Sequence, residues 1–324
     1  YFRSFLATSV AVTLGGVGVI SAKEYFSAAS ILYMIALGFG MLGIYVLFSG
    51  HCRPSDKYDF SQRFAKMWCG VIVFLFICVV QWYLMNLSKF LADPGILPFQ
   101  WRNNACTLLM MAMPFPFYLS VKKHAYLILP LIEMITIVFT GSRGGLLFGG
   151  IELIILLIIL AVADRKTRIP LLIICIAAAA VIIATIPQWT ELMRYTMSRF
   201  TSFKENKIRL GLWYRALEDF RSNPFTGRGL GYMGNRDIHK SAAGTLCWYH
   251  DSILQVIGSF GILGIGCYGY AIYERIRIFR KNKTLFNIFV FTGYIGLELM
   301  GLVNPGIFAP LYFLLATIFF VVIE

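Results

Sequence analysis

The sequence predicts an all-α polytopic membrane protein with about ten transmembrane helices and one large extracytoplasmic loop. Three observations predict it. Hydrophobic residues make up 58% of the chain and charged residues 14%, with a mean hydropathy of +0.72, outside the range of soluble domains. Mostly apolar runs of about 17–25 residues recur along its length, as a hydrocarbon core about 30 Å thick demands of a helix. The runs are continuous rather than alternating, so of the two structures that satisfy their backbone in lipid, helix and closed barrel, they are helices.

In order, the spans fall at about 5–20, 27–49, 67–86, 104–121, 124–140, 146–163, 169–186, 251–272, 285–302 and 306–323. With ten helices, every second connection lies on the same side. One set of connections holds Arg53, Lys57, Arg63 and Lys66; Lys122 and Lys123; Arg165, Lys166 and Arg168; and Arg275, Arg277, Arg280, Lys281 and Lys283, fourteen cations in all. The short connections of the other set hold four, Lys23, Lys89, Arg102 and Arg143. Cations of short loops collect on the cytoplasmic side. The first set is therefore cytoplasmic, and the TGSRGG turn at 140–145 is outside.

The connection 188–250 is far longer than the rest and falls outside by the same alternation. It carries ten Lys and Arg, which the orientation rule exempts in long loops, and it gives that face a concentrated positive field. Within it, IRLGLWYRALEDF (208–220) has apolar residues at 208, 212, 213, 216, 217 and 220, close to helical periodicity. SNP should end that helix, because proline disfavours helix in the residue before it. GRGLG (227–231) follows as a turn whose glycines let backbone N–H groups approach a ligand. The net charge of +13 is assigned to lipid headgroups and anionic substrate rather than nucleic acid. No internal repeat is visible, which disfavours many transporter folds.

Three constellations carry chemistry. Arg143 stands among Gly141, Ser142, Gly144 and Gly145. An arginine at a membrane edge can simply snorkel, but small neighbours admit a bulky headgroup and the guanidinium fork matches phosphate oxygens. His250 opens HDSILQVIGSFGILG at the mouth of the eighth span, with Asp251 and Ser252 placed to cap it. Nearby cations favour neutral imidazole, the form that accepts a proton. Glu133, Glu152 and Glu298 are intramembrane carboxylates, which are paired or functional as a rule. Glu298 is also an alternative base. The seven cysteines show no metal spacing; Cys106 and Cys247 form one conceivable disulfide.

Taken in order, TGSRGG, RLGLWYRALEDFRSNPFTGRGLGYMG and H-D-S-I-L-Q with GILG resemble the bacterial O-antigen ligase/O-antigen polymerase superfamily over about residues 130–305. The resemblance implies a metal-independent, cofactor-free, inverting glycosyltransferase of the GT-C type in the bacterial cytoplasmic (inner) membrane, acting on its outer face. Its donor would be a glycan on undecaprenyl diphosphate. Its acceptor would be a lipid A–core sugar in a ligase or another lipid-linked repeat unit in a polymerase. Carried over residue by residue, Arg143, Arg209 and His250 are the functional positions, the two arginines catalytic and clamping the diphosphate; Ser142, Arg215 and Arg228 are read beside them as further diphosphate-binding candidates. His250 is the general base, and Asp251 and Glu298 are auxiliary. The superfamily's dozen or so helices and the opening YFRSF, without Met, lead to the expectation that about two N-terminal helices precede this chain. A membrane transporter or flippase for a lipid-linked or anionic substrate would instead use the three glutamates for ion coupling. A non-catalytic scaffold would leave Arg143 and His250 dispensable.

Overall fold

The computed structural model describes residues 1–21, 34–51, 57–92, 102–177, 203–230, 248–304 and 306–323, with positions 32, 179, 180, 183, 190 and 194. Among them there is no strand. The helices are α1 (Phe2–Ser21), α2 (Met41–His51), α3 (Lys57–Met85), α4 (Leu87–Ala92), α5 (Arg102–Ala112), α6 (Pro114–Ser120), α7 (Ile128–Thr140), α8 (Arg143–Ala163), α9 (Phe203–Ser222), α10 (Ser252–Lys281), α11 (Leu285–Gly301) and α12 (Pro310–Val322). They divide into two compact units. One comprises Tyr1–Arg53, Phe203–Lys283 and Gly301–Glu324; the other comprises Pro54–Ser202 and Thr284–Met300.

Among the described residues, three helical segments are long and apolar enough to cross a membrane: Asp59–Met85, Arg143–Ala163 and Ser252–Lys281. Shorter apolar helices cover Phe2–Gly15, Ala36–Gly50, His124–Thr140, Leu285–Gly301 and Leu311–Val322. Their outward faces distinguish them from the helices of a soluble protein. On α8, Gly145, Gly149, Glu152, Leu156 and Leu160 are buried, while Leu147, Ile151, Ile154, Ile158 and Val162 are exposed. A surface helix in water turns charge outward. Here the exposed face is aliphatic, as contact with lipid requires.

Several expected spans are interrupted. The run 104–121 is two helices meeting at Met113, where Pro114 takes the first helical position of α6, a site at which its missing N–H costs nothing. A π-helical stretch, Ala36–Gly40, leads into α2. The last span opens as a 3-10 turn, Gly306–Phe308, and becomes α-helical only from Pro310. The expected spans 27–49 and 169–186 fall partly outside the described residues.

In the Pro54–Ser202 unit, α5 and α6 lie inside, with Leu109, Met110, Met111, Met113 and Phe115 fully buried. Trp68 of α3 stacks on Phe115 at 5.7 Å, and the Tyr118 hydroxyl meets Ser61 at 3.0 Å. Cys106 is a free, buried thiol 3.1 Å from Thr140 Oγ1. The disulfide with Cys247 is thus not formed on the Cys106 side; Cys247 itself lies outside the described residues. Glu133 and Glu152 are buried here, and none of their four carboxyl oxygens has a hydrogen-bond partner among the described residues. Gly296 of α11 makes the room for Glu152, since a Cβ there would stand 2.6 Å from Glu152 Oε2.

In the unit containing Tyr1–Arg53 and Phe203–Lys283, α1 lies along α10. Gly15 sits against Phe260, where a Cβ would come within 2.5 Å of the ring. The Ser4 hydroxyl donates to the Ala271 carbonyl at 3.0 Å, and buried Arg275 donates to Ser4 Oγ at 2.8 Å while lying over the Phe5 and Phe320 rings.

The eighth span departs most from expectation. A continuous helix is expected there, but Gly261 inside α10 has φ 63 and ψ −164, and the helix is broken at that point. A break strands carbonyls on one side and N–H groups on the other, each costing several kcal/mol if left unsatisfied in lipid. The turn after α9 meets all four. Arg228 and Gly229 donate their N–H groups to the carbonyls of Gly258 and Ser259, both at 2.9 Å. The N–H groups of Ile262 and Leu263 donate to the carbonyls of Pro224 and Phe225 at 2.8 and 3.2 Å. Close approach explains the glycines. Gly227 (φ 68) abuts the Ser259–Phe260 peptide with no space for a side chain, and a Cβ on Gly261 would stand 2.6 Å from the Phe225 carbonyl. The N–H groups of Arg228 and Gly229, expected to face a ligand, instead close this break, and that of Gly227 donates to the Asn223 carbonyl at 2.9 Å.

Candidate active site

The TGSRGG turn is built by three different devices. Gly141 ends α7 in the left-handed region (φ 64) and returns its N–H to the Val138 carbonyl at 3.0 Å, a conformation that glycine adopts without a Cβ penalty. Ser142 is the N-cap of α8: its Oγ accepts from the Gly145 N–H at 3.1 Å and donates to Asn103 Oδ1 at 2.7 Å. Gly145 then lies against Cys106, where a Cβ would come within 2.5 Å of the sulfur. These contacts place half-buried Arg143 at the first position of α8. That end of a helix carries the positive half of its dipole, and a cation there is disfavoured by about 0.3–1 kcal/mol. The arginine is therefore no stabiliser of its own helix. Arginine, dipole and the outward N–H groups of the first turn together favour an anion. Ser142, expected to touch substrate, is 1% exposed and has a capping role.

The helix predicted at 208–220 is α9, which begins earlier, at Phe203, and ends at Ser222, immediately before Asn223 and Pro224. Leu212, Ala216 and Asp219 are its buried stripe. Arg209 is half-buried on it. Arg215 pairs within the helix, 3.4 Å from Glu218 Oε2 and 3.6 Å from Asp219 Oδ1. Arg228, in the turn beyond, donates through Nε to Ser222 Oγ at 3.0 Å. These two guanidinium groups, expected to assist at the diphosphate, also hold protein oxygens.

His250 has φ 56, and it is the one non-glycine residue with positive φ among the described residues. Its neighbours hold it in that conformation. Asp251 caps α10, its Oδ1 accepting from the N–H groups of Ile253 and Leu254 at 2.8 and 2.9 Å. Tyr249, buried, donates its N–H to Gln255 Oε1 at 3.1 Å and its hydroxyl to Asp219 Oδ2 at 2.7 Å. Burial pushes the Asp219 carboxyl above the usual aspartate range, against the Tyr249 hydrogen bond and the charges of Arg215 and Arg228, which pull it down. Asp251 thus supports the histidine as a cap. Glu298 lies on α11 and accepts from the Tyr294 hydroxyl.

The structure groups Arg209, Arg215, Arg228, His250 and Asp251 in the unit containing Phe203–Lys283, and Ser142, Arg143 and Glu298 in the other. Sequence reasoning missed Tyr249, Asp219 and Gln255. One signal was available for Asp219: an acid on the buried stripe of an amphipathic helix, where the pattern otherwise calls for apolar side chains.

These features define a helical membrane protein with a cationic helix N-terminus and a strained, well-supported histidine. Residues 125–269 match the family model described as O-antigen ligase (Wzy_C), which supports the O-antigen ligase/polymerase superfamily read from the sequence. The matched segment contains Ser142, Arg143, Arg209, Arg215, Arg228, His250 and Asp251; Glu298 lies beyond it. No curated protein and no solved structure matches the chain.

Proposed function

We propose that this protein is an inverting membrane glycosyltransferase of the O-antigen ligase/polymerase type, moving a glycan from undecaprenyl diphosphate to an acceptor hydroxyl. The acceptor is a lipid A–core sugar or another lipid-linked repeat unit. The protein belongs in the bacterial inner membrane as a GT-C-like bundle of about ten spans. The 188–250 connection and the site face outward. The observation that carries the reading is the setting of Arg143 within the matched segment: a guanidinium at the positive end of a helix, a combination that favours an anionic ligand.

The chemistry follows from the residues. The acceptor oxygen forms a bond to the anomeric carbon as the carbon–oxygen bond to the diphosphate breaks on the opposite face. Arg143 and Arg209 stabilise the charge that grows on the departing diphosphate. His250 takes the proton of the acceptor hydroxyl as its oxygen attacks. Arg215 and Arg228 contribute positive field while holding Glu218, Asp219 and Ser222. The diphosphate linkage supplies the driving force, so no nucleotide is needed.

The test is transfer by the purified chain, supplied with an undecaprenyl-diphosphate-linked glycan alone and then with a lipid A–core acceptor. Elongation in the first arm marks a polymerase and product only in the second a ligase. Arg143→Ala and His250→Ala should each lower transfer by roughly 10²-fold or more, and full activity in either refutes its role. Buried Glu133 and Glu152 favour a second reading, a transporter or flippase. Movement of the lipid-linked glycan across proteoliposomes, without transfer, would decide for it.

A further inference from the structure

His250 is held in a left-handed backbone conformation, and a non-glycine residue persists in such a region only where its surroundings over-determine it. The surroundings can be named. After it, Asp251 is fixed by two N–H groups of α10, and the Gln255 N–H donates to the Asp251 carbonyl at 2.8 Å. Before it, Tyr249 is held at three points. Its ring lies on Gly258, where a Cβ would come within 2.8 Å of the ring. Its N–H is taken by Gln255 Oε1, and Gln255 in turn donates to Ser259 Oγ at 2.8 Å. Its hydroxyl reaches buried Asp219 on α9, the helix that also carries Arg209.

A buried tyrosine is often only core. This one differs in where its two polar groups go: one to the helix that His250 opens, the other to the helix of the diphosphate arginine. Ten residues separate Arg209 from Asp219, about 15 Å of α9, so the hydrogen bond fixes the backbone next to the base against the element bearing the clamp. Asp219 does not reach the reacting atoms in this scheme; it acts through Tyr249, and Tyr249 through His250.

We infer that Tyr249 and Asp219 are positioning residues of the transfer reaction, a hydroxyl–carboxyl latch that sets the imidazole of His250 relative to the arginine helix. The inference rests on the glycosyltransferase reading above. The test uses the full chain and the same lipid-linked glycan assay, with rates expressed per folded protein. Tyr249→Phe keeps the ring on Gly258 and removes the hydroxyl alone. Its kcat should fall about tenfold with the donor KM within about twofold of the parent, because orientation rather than binding is lost. Asp219→Asn, whose amide carbonyl still accepts from the tyrosine, should keep at least about half the parent kcat. Asp219→Ala should match Tyr249→Phe, and the double variant should be no slower than either alone. A Tyr249→Phe kcat within twofold of the parent, a loss carried by KM, or additive single effects would each overturn the latch. A fully active His250→Ala would instead sink the reading beneath it, so the two failures are told apart.

Discussion

The turns at 141–143 and 250–252 are the same backbone device with different residues in the decisive place. Each puts one residue in the left-handed region, then an N-capping side chain, then the first residue of a long helix: Gly141–Ser142–Arg143 and His250–Asp251–Ser252. At the first, glycine takes the strained position freely, and Arg143, the proposed diphosphate ligand, stands one step inside the helix. At the second, the histidine itself takes the strained position. Glycine at 250 would adopt this backbone more freely, and on the proposed reading the imidazole is kept there for proton transfer. Exchanging glycine across the comparison makes this measurable. His250→Gly should lose transfer by roughly 10²–10⁴-fold while melting no lower than the parent, relieved of about 1 kcal/mol of strain. Gly141→Ala should do the reverse to stability, costing about 1–2 kcal/mol. A lower melting temperature for His250→Gly would break the comparison, because His250 would then be a structural residue.

A second contrast concerns how each turn is packed. The break in α10 is closed by backbone against backbone, with Gly227 and Gly261 both at positive φ and both without room for a Cβ. Gly261→Ala meets strain and the Phe225 carbonyl together and opens hydrogen bonds that lipid cannot replace. It should cost about 3 kcal/mol or more, read as loss of monodisperse protein or a large fall in melting temperature. Gly145→Ala has a helical backbone and meets a thiol side chain instead. Cys106 can move, so the cost should stay at about 1–3 kcal/mol, and Cys106→Ala should restore part of it. If the two glycine variants melt alike, the distinction between backbone and side-chain closure is wrong.

The difference between these packings also explains what was legible in the sequence. Hydropathy disclosed the helices because lipid imposes one pattern, apolar all round, on every span. Proline marked the end of α9, and Asp251 marked the start of α10, because local hydrogen bonding decides both. The interruption at Gly261 was invisible because GSFGILGIG reads as an apolar helix by composition. Only the carbonyls of Pro224 and Phe225, distant in sequence, permit the break. The same holds for Tyr249 and Asp219, thirty residues apart and joined by one hydrogen bond. Arg215 and Arg228 stand out in the sequence as cations of the long connection, but their Glu218, Asp219 and Ser222 partners are set by helix register and by the turn.

The smallest expected effect is the pH dependence left by Asp219, and its sign separates this acid from an ordinary ion-paired carboxylate. A carboxylate held by a cation has a depressed pKa and stabilises the fold above the usual aspartate value. Asp219 is shifted the other way, because burial outweighs the Tyr249 hydrogen bond and the two arginines. Between the unfolded aspartate value, 3.8, and the raised native one, the folded chain binds more protons than the unfolded chain. Stability therefore falls as pH rises through that window; the contribution is complete below it and gone above it. Asp219→Asn should flatten this part of the melting profile, which begins at the unfolded aspartate value of 3.8 and extends above it. Tyr249→Phe should extend the window upward, because it removes the hydrogen bond that holds the carboxyl down. Stability that instead rises with pH from the unfolded aspartate value, with the rise lost in Asp219→Asn, would mean that Arg215 rather than burial governs this carboxyl.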